Sequence, residues 1–241
     1  MKSSLLGTLA TAFMALVFGF LGAAAWSYSG LADNRTRTFL LDNPDMLPQM
    51  AQAYQEQEAA KRLAELGDDV YQAFPGAVLG NPEGSKVLVE FTDYNCPYCE
   101  ASLADVERLV AEDPDLKVVI REWPIFEGSD QASRMALAAA SQGKYREFHK
   151  AMFELGPASP ESIEAAARQA GLDLERARAD AASDAVTVEL ARNLTLAQSL
   201  GFGGTPAWVT STKAVEGAIG FDGLKEALES SVDRADASTS S

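Results

Sequence analysis

The two cysteines of this sequence, Cys96 and Cys99, lie directly after an apolar run and are separated by two residues. Such a pair serves as a structural disulfide, as part of a metal site or as a reversible redox couple. A disulfide across two residues closes a very small loop and removes little entropy from the unfolded chain. A zinc site needs about four ligands, and the single histidine, His149, has apolar neighbours that predict packing instead of catalysis. The pair therefore favours redox chemistry that needs no metal and no organic cofactor.

The residues around the pair predict that a helix begins there. Pro97 suits the first helical position, because its missing N–H would have no partner within the helix. Unpaired N–H groups at a helix start stabilise a thiolate, which makes Cys96 the predicted nucleophile. Cys99 lies one turn later on the same face, where its thiol could attack a mixed disulfide on Cys96.

Glu90 is the one charged residue inside the apolar stretch 87–91 that leads to the cysteines. A buried carboxylate is costly, and burial raises its pKa. Beneath a dithiol, Glu90 could exchange a proton with Cys99. The alternative is that strand twist lets Glu90 reach solvent, but we favour the functional role.

The elements around these residues follow an α/β pattern. Residues 86–91 and 116–123 are predicted strands, and the helix between them completes a right-handed βαβ unit. An all-helical insertion is predicted over 129–202, and β character resumes at Ala207. The sequence thus predicts an α/β domain over residues 67–233 and a disordered polar tail over 234–241.

Two motifs give a specific family resemblance. Cys96-Pro97-Tyr98-Cys99 after Glu90 resembles the active-site turn of thioredoxin-like proteins. Together with the Gly204-Thr205-Pro206 loop and the helical insertion, it resembles the disulfide-bond protein A (DsbA) family of thiol–disulfide oxidoreductases. Further matching stretches are Gly80-Asn81-Pro82, Arg121 to Ile125, and Gly143 to His149. The resemblance covers about residues 68–232 and implies a thioredoxin-like fold with a helical insertion.

The resemblance also implies site roles. It implies that Cys96 and Cys99 form a redox disulfide and that a cis Thr205–Pro206 bond packs against it, with Pro206 keeping metals from the thiolates. Tyr98 stands where strongly oxidising members have histidine, which implies a milder oxidant. The implied partners are client proteins with thiols or disulfides and a membrane redox partner. The residues implied to contact a client are Pro97, Tyr98 and Thr205.

Residues 1–30 contain an apolar run over 5–26. One interpretation is a signal peptide with a cleavage site at Ala23-Ala24-Ala25. The other is an uncleaved anchor that tethers the protein to the inner membrane, and the length of the run favours it. Both interpretations predict export to the periplasm or another extracytoplasmic space, where disulfides persist.

Residues 31–66 are predicted to form a helical extension, which serves either as a spacer or in self-association. Leu47, Met50 and Tyr54 fall roughly on one helix face. The stretch from Phe39 to Asp45 resembles the N-terminal oligomerisation segment of the suppressor-of-copper-sensitivity C (ScsC) branch. That resemblance implies a homo-oligomer formed through residues 31–66.

The net charge of the chain and the possible uses of its cysteine pair limit the functions that the sequence supports. A formal net charge of −15 argues against nucleic acid as a partner, because polyanion binding needs clustered Lys and Arg. Two other functions stay open beside the redox enzyme. One is a copper-binding protein that holds Cu(I) with the Cys96 and Cys99 thiolates, and the other is a binding module whose cysteine pair is idle. Within the redox interpretation, the sequence leaves open whether the protein oxidises client thiols or isomerises or reduces client disulfides.

Overall fold

The computed structural model describes residues 2–28 and 31–239, and the chain divides into two compact units between Gln55 and Glu56. The first unit contains α1 (Lys2–Tyr28), α2 (Leu31–Asp42) and the start of α3 (Met46–Leu66). Of the predicted leader or anchor, Met1, Ser29 and Gly30 lie outside the described residues. Within residues 2–28 and 31–239, none of the helices combines the length and the apolar character that a bilayer span requires.

The end of α3 belongs to the second unit. Leu63 is buried in its apolar core, and the Arg62 guanidinium donates a hydrogen bond to the Leu200 carbonyl at 2.9 Å. The sequence placed the whole of residues 31–66 in one extension. The structural boundary comes earlier, because the last turns of α3 carry an apolar side chain that the second unit buries.

A five-stranded mixed sheet forms the centre of the second unit. A 3₁₀ helix (Gly67–Tyr71) precedes it, and its order is β1-β3-β2-β4-β5. The strands are β1 (Val78–Gly80), β2 (Lys86–Thr92), β3 (Leu116–Glu122), β4 (Ala207–Val209) and β5 (Ala214–Glu216). Strands β2 and β3 are parallel, and the other neighbours are antiparallel.

The predicted βαβ unit is present as β2, α4 (Pro97–Glu112) and β3. Leu88 packs into the core on one side of the sheet, and Val89 and Phe91 pack into the core on the other. Burial on both sides explains the apolar residues at four of the seven positions of β2, Val87, Leu88, Val89 and Phe91. In the parallel register, Glu90 lies opposite Ile120 and Thr92 lies opposite Glu122.

Five helices lie between β3 and β4 and form the predicted helical insertion. They are α5 (Ser129–Ser141), α6 (Tyr145–Glu154), α7 (Pro160–Gln169), α8 (Leu174–Ala181) and α9 (Asp184–Leu200). The side chains of Ser159, Asp173 and Ser183 accept backbone N–H bonds at the starts of α7, α8 and α9. Gly201 ends α9 with a left-handed φ of 78°, a conformation that glycine adopts without steric cost.

The last helix, α10, covers Gly220–Thr239. It therefore includes residues 234–239, which the sequence assigned to a disordered tail. Ser240 and Ser241, the rest of that predicted tail, lie outside the described residues.

Candidate functional site

The cysteine pair lies at the amino-terminal end of α4. Cys96 is the extended residue just before the helix (φ −89°, ψ 113°), and Pro97 takes the first helical position as predicted. Both cysteines are free thiols and are buried, with 2% and 1% of their surface exposed. Pro97 and Tyr98 between them are exposed. The site therefore presents the turn between the cysteines to solvent and keeps the sulfur atoms mostly covered.

The structure brings the distant Thr205–Pro206 loop onto the cysteines. The Cys96 thiol lies 3.1 Å from the Thr205 carbonyl oxygen and donates a hydrogen bond to it. The Thr205–Pro206 peptide bond is cis, as expected, and Pro206 itself is buried. The backbone of Thr205 thus forms one wall of the site beside the Cys96 sulfur.

Glu216 on β5 holds that loop in place. Its carboxylate accepts hydrogen bonds from the backbone N–H groups of Gly203 and Gly204, the second at 2.9 Å. The Gly217 N–H adds a bond to the Pro206 carbonyl at 2.8 Å. Sequence reasoning missed Glu216, because an acidic residue on a short, partly exposed strand carries no signal until the hairpin is folded.

Asp93 and Asn95 fix the loop that leads into the cysteines, and sequence reasoning missed both. The buried Asp93 carboxylate accepts N–H bonds from Asn95, Ile125 and Phe126 at 2.7, 2.6 and 2.9 Å. The Asn95 side chain donates to the Glu127 carbonyl at 2.8 Å and accepts from a backbone N–H of the insertion at 2.7 Å. Their signal was available, because both are polar residues directly after a buried strand.

Large apolar side chains are exposed both on the turn between the cysteines and on the loop after β3. Tyr98 is 65% exposed. Ile125 and Phe126, whose N–H groups donate to Asp93, are 40% and 45% exposed. Large exposed apolar side chains beside a reactive group are typical of a surface that contacts a partner.

Burial favours the protonated form of two groups near the site, the Cys99 thiol and the Glu90 carboxyl. Burial raises the pKa of the Cys99 thiol well above its usual range, and the charge of Glu90 raises it further. Glu90 is 2% exposed. Burial, and then the nearby Glu122 carboxylate, raise the pKa of Glu90 to about 8. The structure therefore buries Glu90 instead of leading it to solvent, and its charge acts on Cys99.

The burial of Glu90 predicts a pH-dependent stability. Its pKa rises from 4.5 in the unfolded chain to about 8 in the folded protein. The folded state therefore holds the proton more tightly, and the stabilisation is full below pH 4.5 and is lost as the pH rises to about 8. We expect Glu90→Gln to match the parent near pH 4.5 and to exceed its free energy of unfolding by a few kcal/mol above pH 8.

Urea unfolding of the parent and of Glu90→Gln across this pH range measures the effect, since the difference between the two proteins cancels the titrating groups that do not interact with Glu90. Equal slopes of stability against pH would show that Glu90 ionises in the folded protein as readily as in the unfolded chain.

A second buried polar cluster lies behind the site. The Glu122 carboxylate accepts hydrogen bonds from the Tyr94 and Tyr145 hydroxyls at 2.9 and 2.6 Å. His149 is buried, with its Nδ1 2.9 Å from the Tyr94 hydroxyl. Burial lowers the pKa of His149 to about 3, which keeps the ring neutral. The sequence identified His149 as a packing residue but gave no sign of the cluster around it.

Metal ligands are sparse around these groups. In residues 2–28 and 31–239, no group of three or more His, Cys, Asp or Glu side chains is placed to hold a metal ion. The copper hypothesis needs only the two thiolates of Cys96 and Cys99, so this observation does not test it.

Comparison with known proteins identifies relatives of the second unit. A family model described as a DSBA-like thioredoxin domain matches residues 87–229. A solved thioredoxin-like oxidoreductase from Silicibacter pomeroyi is 44% identical, with a TM-score of 0.64 over 70% of this chain and 96% of its own. A linker-deletion variant of Proteus mirabilis ScsC is 26% identical, with a TM-score of 0.68 over 84% of this chain and 95% of its own.

The curated relatives are longer proteins that are named as antiporters, unlike the thioredoxin-like proteins above. The Na(+)/H(+) antiporter NhaA of Herminiimonas arsenicoxydans is 30% identical over 156 residues, which are 64% of this chain and 25% of the antiporter. The chain thus spans a quarter or less of the length of the curated relatives it matches. The family model and the solved structures together confirm the predicted thioredoxin-like fold with its helical insertion.

Proposed function

Because the chain belongs to the DSBA-like thioredoxin-domain family, we propose that it is a thiol–disulfide oxidoreductase that oxidises thiols to disulfides, or isomerises disulfides, in client proteins. One contact carries the proposal. The Cys96 sulfur lies 3.1 Å from the backbone carbonyl of Thr205, beside a cis Pro206, with the Cys99 thiol buried one turn further along α4. A cysteine pair that is only structural, or that is idle, gives no reason for the Thr205–Pro206 loop, which is distant in sequence, to lie beside the Cys96 sulfur.

In the oxidising direction, the enzyme starts with a Cys96–Cys99 disulfide. A client thiolate attacks the Cys96 sulfur, the bond to Cys99 breaks, and Cys99 leaves as a thiolate. The neutral Glu90 carboxyl supplies its proton. A second client thiolate then attacks the client sulfur of the mixed disulfide, and Cys96 leaves as a thiolate at the start of α4, where unpaired N–H groups stabilise it. The client loses two electrons, and the enzyme disulfide gains them.

In the isomerising direction, the reduced enzyme acts first. The Cys96 thiolate attacks one sulfur of a client disulfide, forms a mixed disulfide and releases the other client sulfur as a thiolate. Another client thiolate then attacks the bound client sulfur, forms a new client disulfide and releases the Cys96 thiolate. Alternatively, Cys99 passes its proton to the Glu90 carboxylate and attacks the Cys96 sulfur, which releases the client thiolate and leaves the enzyme as the Cys96–Cys99 disulfide with the client reduced by two electrons. An extended client segment would pair with the Thr205 backbone, as in strand addition, and contact Pro97 and the exposed apolar surface at Tyr98.

Refolding assays on one disulfide-containing substrate test the function and its direction. The full chain, added as the disulfide form, should oxidise a reduced substrate. Added as the dithiol, it should restore activity to a scrambled substrate if it is an isomerase. Cys96→Ser is the matched control and should do neither. If the parent chain changes the rate of neither reaction, the proposed function is wrong.

We also propose that copies of this chain self-associate through the extension that contains α2 and α3. In the first unit, Leu47, Met50 and Tyr54 are 71%, 50% and 64% exposed, at spacings of three and four residues that share one helix face. Apolar side chains aligned in this way favour burial against a partner. Several sites held around one client would suit isomerisation.

A glutamine triple variant, Leu47→Gln, Met50→Gln and Tyr54→Gln, should therefore have a smaller assembly mass than the parent in light scattering after size-exclusion chromatography. Val188→Gln is the control, because Val188 is also 65% exposed but lies on α9. An identical assembly mass for the parent and the triple variant would contradict self-association through this face.

The proposed reaction takes place outside the cytoplasm, where disulfides persist. The apolar run over 5–26 supports export, and a membrane redox partner would restore the working state of the cysteine pair. Cell fractionation followed by thiol labelling of Cys96 and Cys99 measures both the location and the resting redox state.

A further inference from the structure

The mechanism proposed above leaves one buried titratable cluster without a role. Glu122, at the end of β3, is fully buried together with Tyr94, Tyr145 and His149. A buried carboxyl is expensive unless its surroundings stabilise it, and this one is placed one strand away from the proposed proton carrier, Glu90.

The sheet register puts the two carboxyls on the same side of the sheet. Strands β2 and β3 are parallel neighbours, with Glu90 opposite Ile120 and Thr92 opposite Glu122. Side chains two positions apart on a strand share one face, so Glu90 and Glu122 are diagonal neighbours under the start of α4. Two buried carboxyls this close do not readily ionise together, because like charges repel strongly where water is excluded.

The surroundings of the two carboxyls differ. Glu122 accepts hydrogen bonds from two hydroxyls, Tyr94 on the loop after β2 and Tyr145 on α6. The Asp93 carboxylate raises the pKa of Glu122, the Glu122 carboxylate in turn raises the pKa of Glu90, and His149 behind Tyr94 is neutral. Glu90, by contrast, gains no hydrogen bond from the buried Thr92 hydroxyl, which has no hydrogen-bond partner among the described residues.

We propose that Glu122 is a positioning residue that keeps the proton of the carboxyl pair on Glu90, where it can reach Cys99. The two tyrosine hydroxyls stabilise Glu122 as the anion, and that anion disfavours a second negative charge on Glu90. Glu90 is also the carboxyl whose charge acts on the Cys99 thiol. The pKa values agree that Glu122 loses its proton before Glu90, since burial raises the pKa of Glu122 to about 7 and that of Glu90 to about 8.

This inference rests on the proposed function for its consequence. When a client thiolate displaces Cys99, the buried thiolate needs a proton at once, and a neutral Glu90 already holds it. Without the Glu122 anion, Glu90 would ionise at lower pH, and fewer molecules would have that proton at neutral pH. Glu122 touches neither sulfur nor client, so it acts only through Glu90.

Carbon-13 NMR of the glutamate carboxyls in the full, reduced chain tests the inference without relying on activity. The Glu90 signal is assigned by its loss in Glu90→Gln. In Glu122→Gln, the midpoint of the Glu90 titration should fall by about one pH unit. Tyr145→Phe, which removes one hydroxyl and keeps the ring, should lower it by a smaller amount. Tyr71→Phe is the control, because the Tyr71 hydroxyl bonds to the Thr210 carbonyl at 3.0 Å, away from both carboxyls.

The outcomes separate this inference from the proposed function. An unchanged Glu90 midpoint in Glu122→Gln overturns the inference, as does an equal fall in Tyr71→Phe. A fall confined to Glu122→Gln and Tyr145→Phe supports it. If the two variants show that fall but the parent protein exchanges no disulfides with a client, the coupling between the carboxyls is supported and the proposed function is wrong. In an active parent, the pH above which client oxidation slows should fall together with the Glu90 midpoint.

Discussion

Replacing Cys99 by serine is expected to stop turnover while leaving the attack on a client disulfide intact. Cys96, at the start of α4, keeps its position and its contact with the Thr205 carbonyl. The mixed disulfide that it forms with a client then has no neighbouring thiol to resolve it. We therefore expect the turnover of client-thiol oxidation, which needs the Cys96–Cys99 disulfide, to fall by about a thousandfold or more, and the adduct to accumulate.

Mass spectrometry under non-reducing conditions measures the adduct, and a thiol-oxidation assay measures the turnover. Cys96→Ser should also lose turnover but should form no adduct, because Cys99 is 1% exposed and burial raises its pKa. Adducts of equal yield on both single variants, or full turnover by Cys99→Ser, would contradict the assigned roles.

The second large effect is structural and concerns Arg121. This side chain is 0% exposed and points away from the site, with a 2.7 Å ion pair to Glu189. It also donates to the Asn193 side chain. Further bonds go to backbone carbonyls of the segment between α3 and β1, namely Asp69, Val70 and Gln72. Arg121→Met removes all of these bonds and leaves Glu189 only a 3.9 Å pair with Arg192. We expect the free energy of unfolding to fall by about 3–5 kcal/mol.

Guanidinium unfolding measures this loss, with Arg168→Met as the control. Arg168 pairs with Glu164 on the exposed face of α7, and exposed pairs of this kind contribute little. The double variant Arg121→Met with Glu189→Leu should regain part of the lost stability, because it no longer buries an unpaired carboxylate. A change in Arg121→Met no larger than that in Arg168→Met would show that the buried pair contributes nothing.

Much of the fold could be predicted from the sequence because local signals and tertiary structure agree. The apolar run of β2, the Pro97 helix start and the break at 113–115 together define a βαβ unit, and each lies within a short window. The helical insertion is equally local, since α7, α8 and α9 begin at residues whose side chains cap them.

The rest of the site depends on contacts between distant segments. Glu90 was identified because it interrupts an apolar strand, whereas Glu122 follows Arg121 and looks like an ordinary polar strand end. Only the β2–β3 register shows that Glu122 shares a face with Glu90. Glu216 is similar, because its role appears only when the β4–β5 hairpin places it under Gly203 and Gly204.

The central claim is that Cys96 and Cys99 are a reversible redox couple, and a glutathione titration of the full chain tests it most directly. Mixtures of reduced and oxidised glutathione set the potential, and mass spectrometry after thiol trapping counts the free thiols. We predict one reversible two-electron transition in which both thiols disappear together, and none in Cys96→Ser. Thiols that stay reduced at every ratio, or that oxidise independently of each other, would contradict the claim.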